Sequence, residues 1–172
     1  AADANGTLNA FTAVAEDDDG GQSDTARQAQ VSVTDVNDIP TLTAFAGVVD
    51  TVSEDTEVEI TFAELAAQGD EADVDGTVDA FVVKSVSSGT LKIGTSAGTA
   101  TAWAATTNDT VDATNNAYWT PANNANGTLN AFTAVAQDDD GAESDTARQA
   151  QVSVTDVNDI PTLTAFAGVV DT

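Results

Sequence analysis

The sequence contains no cysteine, no histidine and no methionine, and its lysines and arginines number only four against 29 aspartates and glutamates. Without cysteine no disulfide can staple the fold, so a chain living outside the cell needs another source of stability. Without histidine or cysteine a zinc site is disfavoured, and there is neither a thiol nucleophile nor a side chain that titrates near neutral pH. The shortage of bases, with a net charge of −25, argues against binding to nucleic-acid phosphates or an anionic membrane surface. No apolar run approaches the ~20 residues needed to span a membrane. No signal peptide is visible, which carries no weight in an internal stretch of a longer chain.

What the sequence does hold is itself, twice. Residues 1–51 laid over 122–172 are identical at 46 of 51 positions, a period of 121 residues. The differences are Ala2/Asn123, Asp3/Asn124, Glu16/Gln137, Gly21/Ala142 and Gln22/Glu143. A period of this length is that of a small domain rather than of a helical solenoid unit or a propeller blade. The chain therefore divides into the C-terminal part of a preceding repeat (1–38), one complete repeat (39–159) and the first strand of a following repeat (160–172). The flanking pieces together lack a counterpart of 52–121, so they cannot complete each other. We read the 172 residues as a window on a longer tandem array.

The complete repeat carries 20 acids and three bases, Lys84, Lys92 and Arg148. Such crowding opposes compaction by self-repulsion. Either the chain is disordered or cations neutralise it, and hydrophobic residues at 41% in regular strand-like runs favour the second.

Strand signals recur at 41–47, 57–62, 77–86, 89–94, 99–105, 116–120, 127–136 and 147–157, punctuated by Gly, Asn, Asp and Ser clusters such as Asn126-Gly127. Only "FAELAAQG" (62–69) reads as helical, one or two turns ended by Gly69. Seven or so short strands in about 120 residues predict an all-β sandwich with one short helix. In "ARQAQVSVTDV" alternation puts Ala150, Val152, Val154 and Asp156 on one face, with Val152 and Val154 entering the core. Phe81, Phe132, Trp103, Tyr118 and Trp119 are the large packing residues.

Four acidic clusters mark each period: Glu54-Asp55; Asp70, Glu71, Asp73 and Asp75; Asp138, Asp139 and Asp140; and Asp156, Asn158 and Asp159. Each could be a solvated turn, since Asp and Gly are ordinary turn residues. Ca2+ takes six to eight oxygens in irregular cages of carboxylates, amides and carbonyls. Alternate spacing, as in Asp73/Asp75 and Asp156/Asn158, aims successive oxygens to one side of an extended segment. None of the clusters is an EF-hand: counted from Glu71, Asp73 and Asp75 fit, but position 12 is Val82.

The stretch "AVAQDDDGAESDTARQAQVSVTDVNDIPTL" resembles the closing strands and linker of a cadherin-type repeat: A-x-D-x-G, alternating valines, then D-x-N-D-x-P. "YWTPANNANGTLNAFTAVAQDDDG" and "VSEDTEVEITFAELAAQGDEADVDG" resemble the cadherin-like and VCBS-type tandem repeats of giant bacterial surface proteins. The resemblance implies an Ig/cadherin-like antiparallel β-sandwich in tandem, with Ca2+ shared at the junctions. Carried over, Asp35, Asn37 and Asp38 of the first linker would join Asp73 and Asp75 of the following repeat. Glu54 would join Asp156, Asn158 and Asp159 at the second junction, with Asp138 and Asp140 as candidates there too. The linker "DVNDIP" lacks the second asparagine and no D-R-E motif stands out, so fewer ions per junction are implied than in animal cadherins.

These observations make three functions worth separating. The first is a calcium-rigidified structural bead of a long bacterial extracellular adhesin, stalk or surface filament, serving extension and cell adhesion or biofilm. Its partners would be neighbouring repeats and identical chains in a fibre. The second is a carbohydrate- or surface-binding module using an exposed set of Trp103, Tyr118 and Trp119. The third, an enzyme with paired carboxylates, is the least supported, because the aspartates sit in Gly-containing turns. A Lys–Asn cross-link through Lys84 or Lys92 is a further conceivable feature.

Overall fold

The computed structural model describes residues 4–163, 165 and 168. Its elements in chain order are β1 (Gly6–Ala13), β2 (Arg27–Val33), β3 (Val48–Ser53), β4 (Val58–Ile60), α1 (Phe62–Gln68), β5 (Val78–Val86), β6 (Thr90–Gly94), β7 (Thr101–Ala102), β8 (Thr110–Asp112), β9 (Asn116–Thr120), β10 (Gly127–Asp138) and β11 (Arg148–Thr155). The fold is all-β and sandwich-like, with one short helix. A five-stranded sheet runs β3-β11-β10-β5-β8 and a four-stranded sheet runs β4-β9-β6-β7, while β1 and β2 form a hairpin of their own.

The two larger sheets share one core. Phe81, Val83, Val111, Phe132, Ala134, Ala136, Val152 and Val154 from the first pack with Ile60, Leu91, Ile93, Ala117 and Trp119 from the second. Val152 and Val154 point inward, as alternation predicts, and Phe81 touches the rings of Phe45 and Phe62 at 5.8 and 5.5 Å between centroids. Burying a Phe or Leu side chain contributes about 1.5–3 kcal/mol, and Trp119 with its indole Nε1 on the Ser88 carbonyl (2.7 Å) meets its polar requirement inside the core. Gly89, at φ +68°, makes that approach possible: a Cβ there would run into the Thr120 carbonyl and the indole nitrogen.

Helix α1 forms for local reasons. Thr61 caps it, its hydroxyl accepting from the Glu64 N–H while Glu64 Oε2 accepts from the Thr61 N–H at 2.7 Å, a reciprocal capping box. At the other end the Gly69 N–H closes the last turn on Leu65. Leu65 is the buried residue of the helix.

Three expectations change. The segment 41–47 is not a strand; it makes single bridges at Thr41↔Ala72 and Phe45↔Gly69. Its N–H groups at Thr43 and Ala44 go to the Asp70 carboxylate and that of Ala46 to the Gln68 carbonyl, so the chain is tied to the loop after α1 instead of to a sheet. The strand that follows, β3, lies parallel to β11 with Val52 opposite Val154, which makes the five-stranded sheet mixed rather than wholly antiparallel. Sequence reading also passed over β3 and β8 as strands. The expected first strand of a following repeat, 160–172, lies largely outside the described residues.

The hairpin of β1 and β2 repeats that of β10 and β11 residue for residue. Gly6 faces Val33 as Gly127 faces Val154, and both hairpins shift register at the same place, Asn9/Phe11 and Asn130/Phe132. The same glutamine stitches each bulge: Gln28 Nε2 donates to the carbonyls of Phe11 and Ala29, and Gln149 Nε2 to those of Phe132 and Ala150, all at 2.8–2.9 Å. The bulge lets both Ala131 and Phe132 be buried although they are consecutive.

Candidate metal centre

The acidic clusters gather at two opposite poles of the sandwich, because β10 and β11 run its length in opposite directions. At the first pole β10 ends, β5 begins and the first linker arrives. Asp138 is buried there. Its Oδ1 accepts from the N–H groups of Asp140 (3.1 Å) and Ala142 (2.7 Å), closing the "DDDG" turn around Gly141 at φ +86°. Its Oδ2 accepts from Asn37 Nδ2 at 2.9 Å. That bond to the linker amide, ahead of the backbone bonds, holds the Asp138 carboxyl below the usual carboxylate range against the opposing effect of burial.

The loop between α1 and β5 adds the rest. Asp75 accepts from the Asp38 N–H at 3.1 and 3.3 Å through its two oxygens. Burial pushes the Asp75 carboxyl up, the Asp38 N–H opposes this, and the charges of Asp73, Asp38 and Asp35 push it further. Asp139 Oδ1 accepts from the Thr77 N–H at 2.8 Å. A Cβ on Gly76 would come within 2.5 Å of Asp139 Oδ1 and 2.8 Å of Asp73 Oδ2, so the glycine lets those two carboxylates close on the backbone. Asp73 Oδ2 and Glu71 Oε2 are buried with no hydrogen-bond partner, and burial, with the charge of Asp70, raises the Glu71 carboxyl.

At the second pole Glu54, also buried, follows β3. Its Oε1 accepts from the Val157 N–H at 2.6 Å, and its own N–H donates to Thr155. Asp156 Oδ1 accepts from Asn126 Nδ2 at 2.9 Å, as Asp35 accepts from Asn5 at 2.6 Å. Asn158 and Asp159 continue into the exposed linker.

The structure therefore joins Asn37 to Asp138 and Asp38 to Asp75, with the charges of Asp35 and Asp73 acting on Asp75, and joins Glu54 to the second linker. It separates Asp138 and Asp140 from that second linker. They were expected there, and they lie at the first pole, because β10 starts beside Val154 at Gly127 and runs its 12 residues to end at Asp138. Asp139 and Glu71, members of the acidic clusters that the resemblance left out of the expected ligands, enter the same region: Asp139 accepts from the Thr77 N–H and Glu71 Oε2 is buried without a partner.

Among the described residues no group of three or more acidic side chains is already drawn together closely enough to hold an ion, since Asp75, Asp138 and Asp139 each hold backbone or amide N–H groups. The donors present nevertheless suit Ca2+: carboxylates, side-chain amide oxygens and carbonyls in an irregular set, two of the carboxylate oxygens buried without a partner.

Asp70, beside this pole, has a different task. Bonds from the Thr43 hydroxyl and from the N–H groups of Ala44 and Thr43 bring its carboxyl down to about 2. A carboxyl held below its unfolded value adds stability above that value and loses it as pH falls through the folded one. Asp70→Ala should thus lower the melting temperature at pH 7, with the gap to wild type steady down to about pH 5 and closing below about pH 4. A gap unchanged at pH 2 would show that the charge of Asp70 plays no part.

The aromatic residues do not form a platform. Trp119 and Tyr118 are buried, Tyr118 donating to Glu59 Oε1 at 2.7 Å and half-buried Trp103 donating to the Val83 carbonyl at 3.1 Å. Lys84 and Lys92 pair with Glu143 and Glu57, each at 2.6 Å. No family model matches the chain, and no curated protein matches it.

Proposed function

We propose that the chain is a structural segment of a long extracellular adhesin, stalk or surface filament, in which Ca2+ shared at the poles stiffens successive beads. Residues 39–159 are the bead, 1–38 the end of the one before and 160–172 the start of the next. The observation that carries the reading is the convergence of linker and bead acids at one pole: Asn37 on Asp138, Asp38 on Asp75, with Asp73 and Asp139 flanking Gly76. Like charges held this close repel, and a divalent cation bridging linker and bead would convert that repulsion into a stiff joint. Repeats joined in this way draw part of their stability from the neighbour interface.

Melting and small-angle scattering of the chain in EDTA and in millimolar Ca2+ test this. A higher melting temperature and a longer maximum dimension with Ca2+ are expected. Superimposable curves would reject it. Burial of Trp119 and Tyr118 weighs against the ligand-binding alternative, and the role we propose is not catalytic.

A further inference from the structure

Asparagine is followed by glycine twice in the sequence, at Asn5-Gly6 and Asn126-Gly127, and the joint proposed above gives these pairs no role. Each stands just ahead of a strand, since β1 begins at Gly6 and β10 at Gly127. Both glycines lie at positive φ, +79° and +91°, and a Cβ built on either meets no atom within 4 Å. Such a backbone suits glycine alone, and here it stands in open space. Both asparagines are exposed. Asn126 is exposed with the two sheets of 39–159 built around it, and Asn5 with the whole of 39–159 following it. The exposure is thus seen from both sides of the corner. The two side chains make the same contact: Asn126 Nδ2 donates to Asp156 Oδ1 at 2.9 Å, and Asn5 Nδ2 to Asp35 Oδ1 at 2.6 Å. Each amide therefore sits against a linker carboxylate.

We propose that Asn5 and Asn126 are sites of spontaneous covalent modification, where the side-chain amide becomes a carboxylate through attack by the next backbone nitrogen. The Gly127 nitrogen bonds to Asn126 Cγ and the Cγ–Nδ2 bond breaks. The amide nitrogen leaves as ammonia with the proton that the Gly127 nitrogen gives up. The cyclic imide then takes up water. Opening at Cγ yields aspartate. Opening at the Asn126 backbone carbonyl yields isoaspartate and routes the main chain through one extra methylene, directly before the pairing of Gly127 with Val154. Water is the sole co-reactant and ammonia the sole by-product. Ring closure brings the following nitrogen onto the side chain, and a Cβ on that following residue obstructs it; glycine in open space removes the obstruction. Other asparagines are placed less well. Asn124 and Asn130 precede alanine, while Asn37, Asn108 and Asn158 precede aspartate. Asn108 also has its amide tied to the carbonyls of Thr101 and Ala102. The product places a second carboxylate where an amide had donated to Asp156 or Asp35, so time adds an acid beside each linker. The consequence for the joint, and that alone, rests on the calcium reading: the added oxygens strengthen cation binding there.

The test follows the intact chain in EDTA through prolonged incubation at mildly alkaline pH, by intact mass and by peptide mapping that separates aspartate from isoaspartate. The expected result is a gain of one mass unit per site, first at Asn5 and Asn126, with both products present. Asn126→Gln keeps the amide but would have to close a larger, less favoured ring, so its gain should be confined to Asn5. No gain, a gain led by any other asparagine, or a gain at position 126 undiminished in Asn126→Gln overturns the proposal. Made directly, Asn126→Asp should melt close to wild type in EDTA, because exposed charges contribute little, and should show a larger rise in melting temperature with Ca2+. A rise no larger than that of wild type overturns the consequence for the joint. A wild type with no calcium response at all rejects the calcium reading, while the mass map, made without calcium, still decides the modification.

Discussion

Phe132→Ala should destabilise the sandwich by about 3–5 kcal/mol, while Phe11→Ala, the same change in the same local sequence, should shift it by less than about 0.5 kcal/mol. Both residues follow the same bulge, face the same β2-type partner alanine and have their carbonyl capped by the same glutamine. Intrinsic strand propensity and hairpin energetics are therefore shared between the two sites. What differs is the body of the bead. Phe132 lies in the core with Phe81, Val152 and Trp119, and its removal leaves a cavity that rigid strands on both sides cannot close. Phe11 faces solvent. An isolated two-stranded hairpin is of marginal stability in water, so its loss leaves the cooperative transition of 39–159 in place. Urea denaturation at micromolar concentration measures both, with the midpoint as readout. Equal shifts for the two variants would mean that β1–β2 is packed as its twin is.

That pair also shows how far the sequence could be read. The strands at 127–136 and 147–157 and the inward alternation of Val152 and Val154 were legible, because each is a local pattern. The helical run 62–69 and the stop at Gly69 made α1 legible in the same way, while its capping box at Thr61 and Glu64 is seen in the structure. The rest depends on neighbours distant in sequence. "TLTAFAG" has the composition of a strand, but Asp70, some 27 residues on, takes its N–H groups. β3 is a parallel edge strand, and nothing within "VVDTVS" records that its partner is β11, with Val52 opposite Val154. The acid turn at Asp138 lies at the pole opposite to the one expected, bonded to Asn37 of the first linker, and only the direction of β10 shows which linker it meets.

The sign of a single substitution should depend on calcium. Asp75→Asn is expected to stabilise the chain in EDTA and destabilise it relative to wild type in millimolar Ca2+. The Asp75 carboxyl is pushed up by burial and by Asp73, Asp38 and Asp35. An acid raised above its unfolded value costs stability once ionised, so the cost sets in as pH rises from the usual carboxylate range through the folded value and is complete at neutral pH. Asparagine removes the charge but keeps an oxygen for the Asp38 N–H, so the structural bond survives. With Ca2+ the same charge becomes an attraction. A cation at a hundred times its dissociation constant adds about 2.7 kcal/mol, and a site stripped of one carboxylate forfeits much of that. Glu54→Gln with Asp156→Asn should do the same at the second pole while leaving the first responsive, since the two clusters occupy opposite ends of β11. Melting curves of the two variants in EDTA and in Ca2+ give four comparisons with wild type. If Asp75→Asn is destabilising in both media, Asp75 is a structural acceptor and the first pole does not bind the ion through it. If one variant abolishes the whole response, a single shared site replaces two. Inversion of sign at each pole separately is the outcome that two calcium joints require, because only a bridging cation turns the most crowded carboxylates of the fold into its ties.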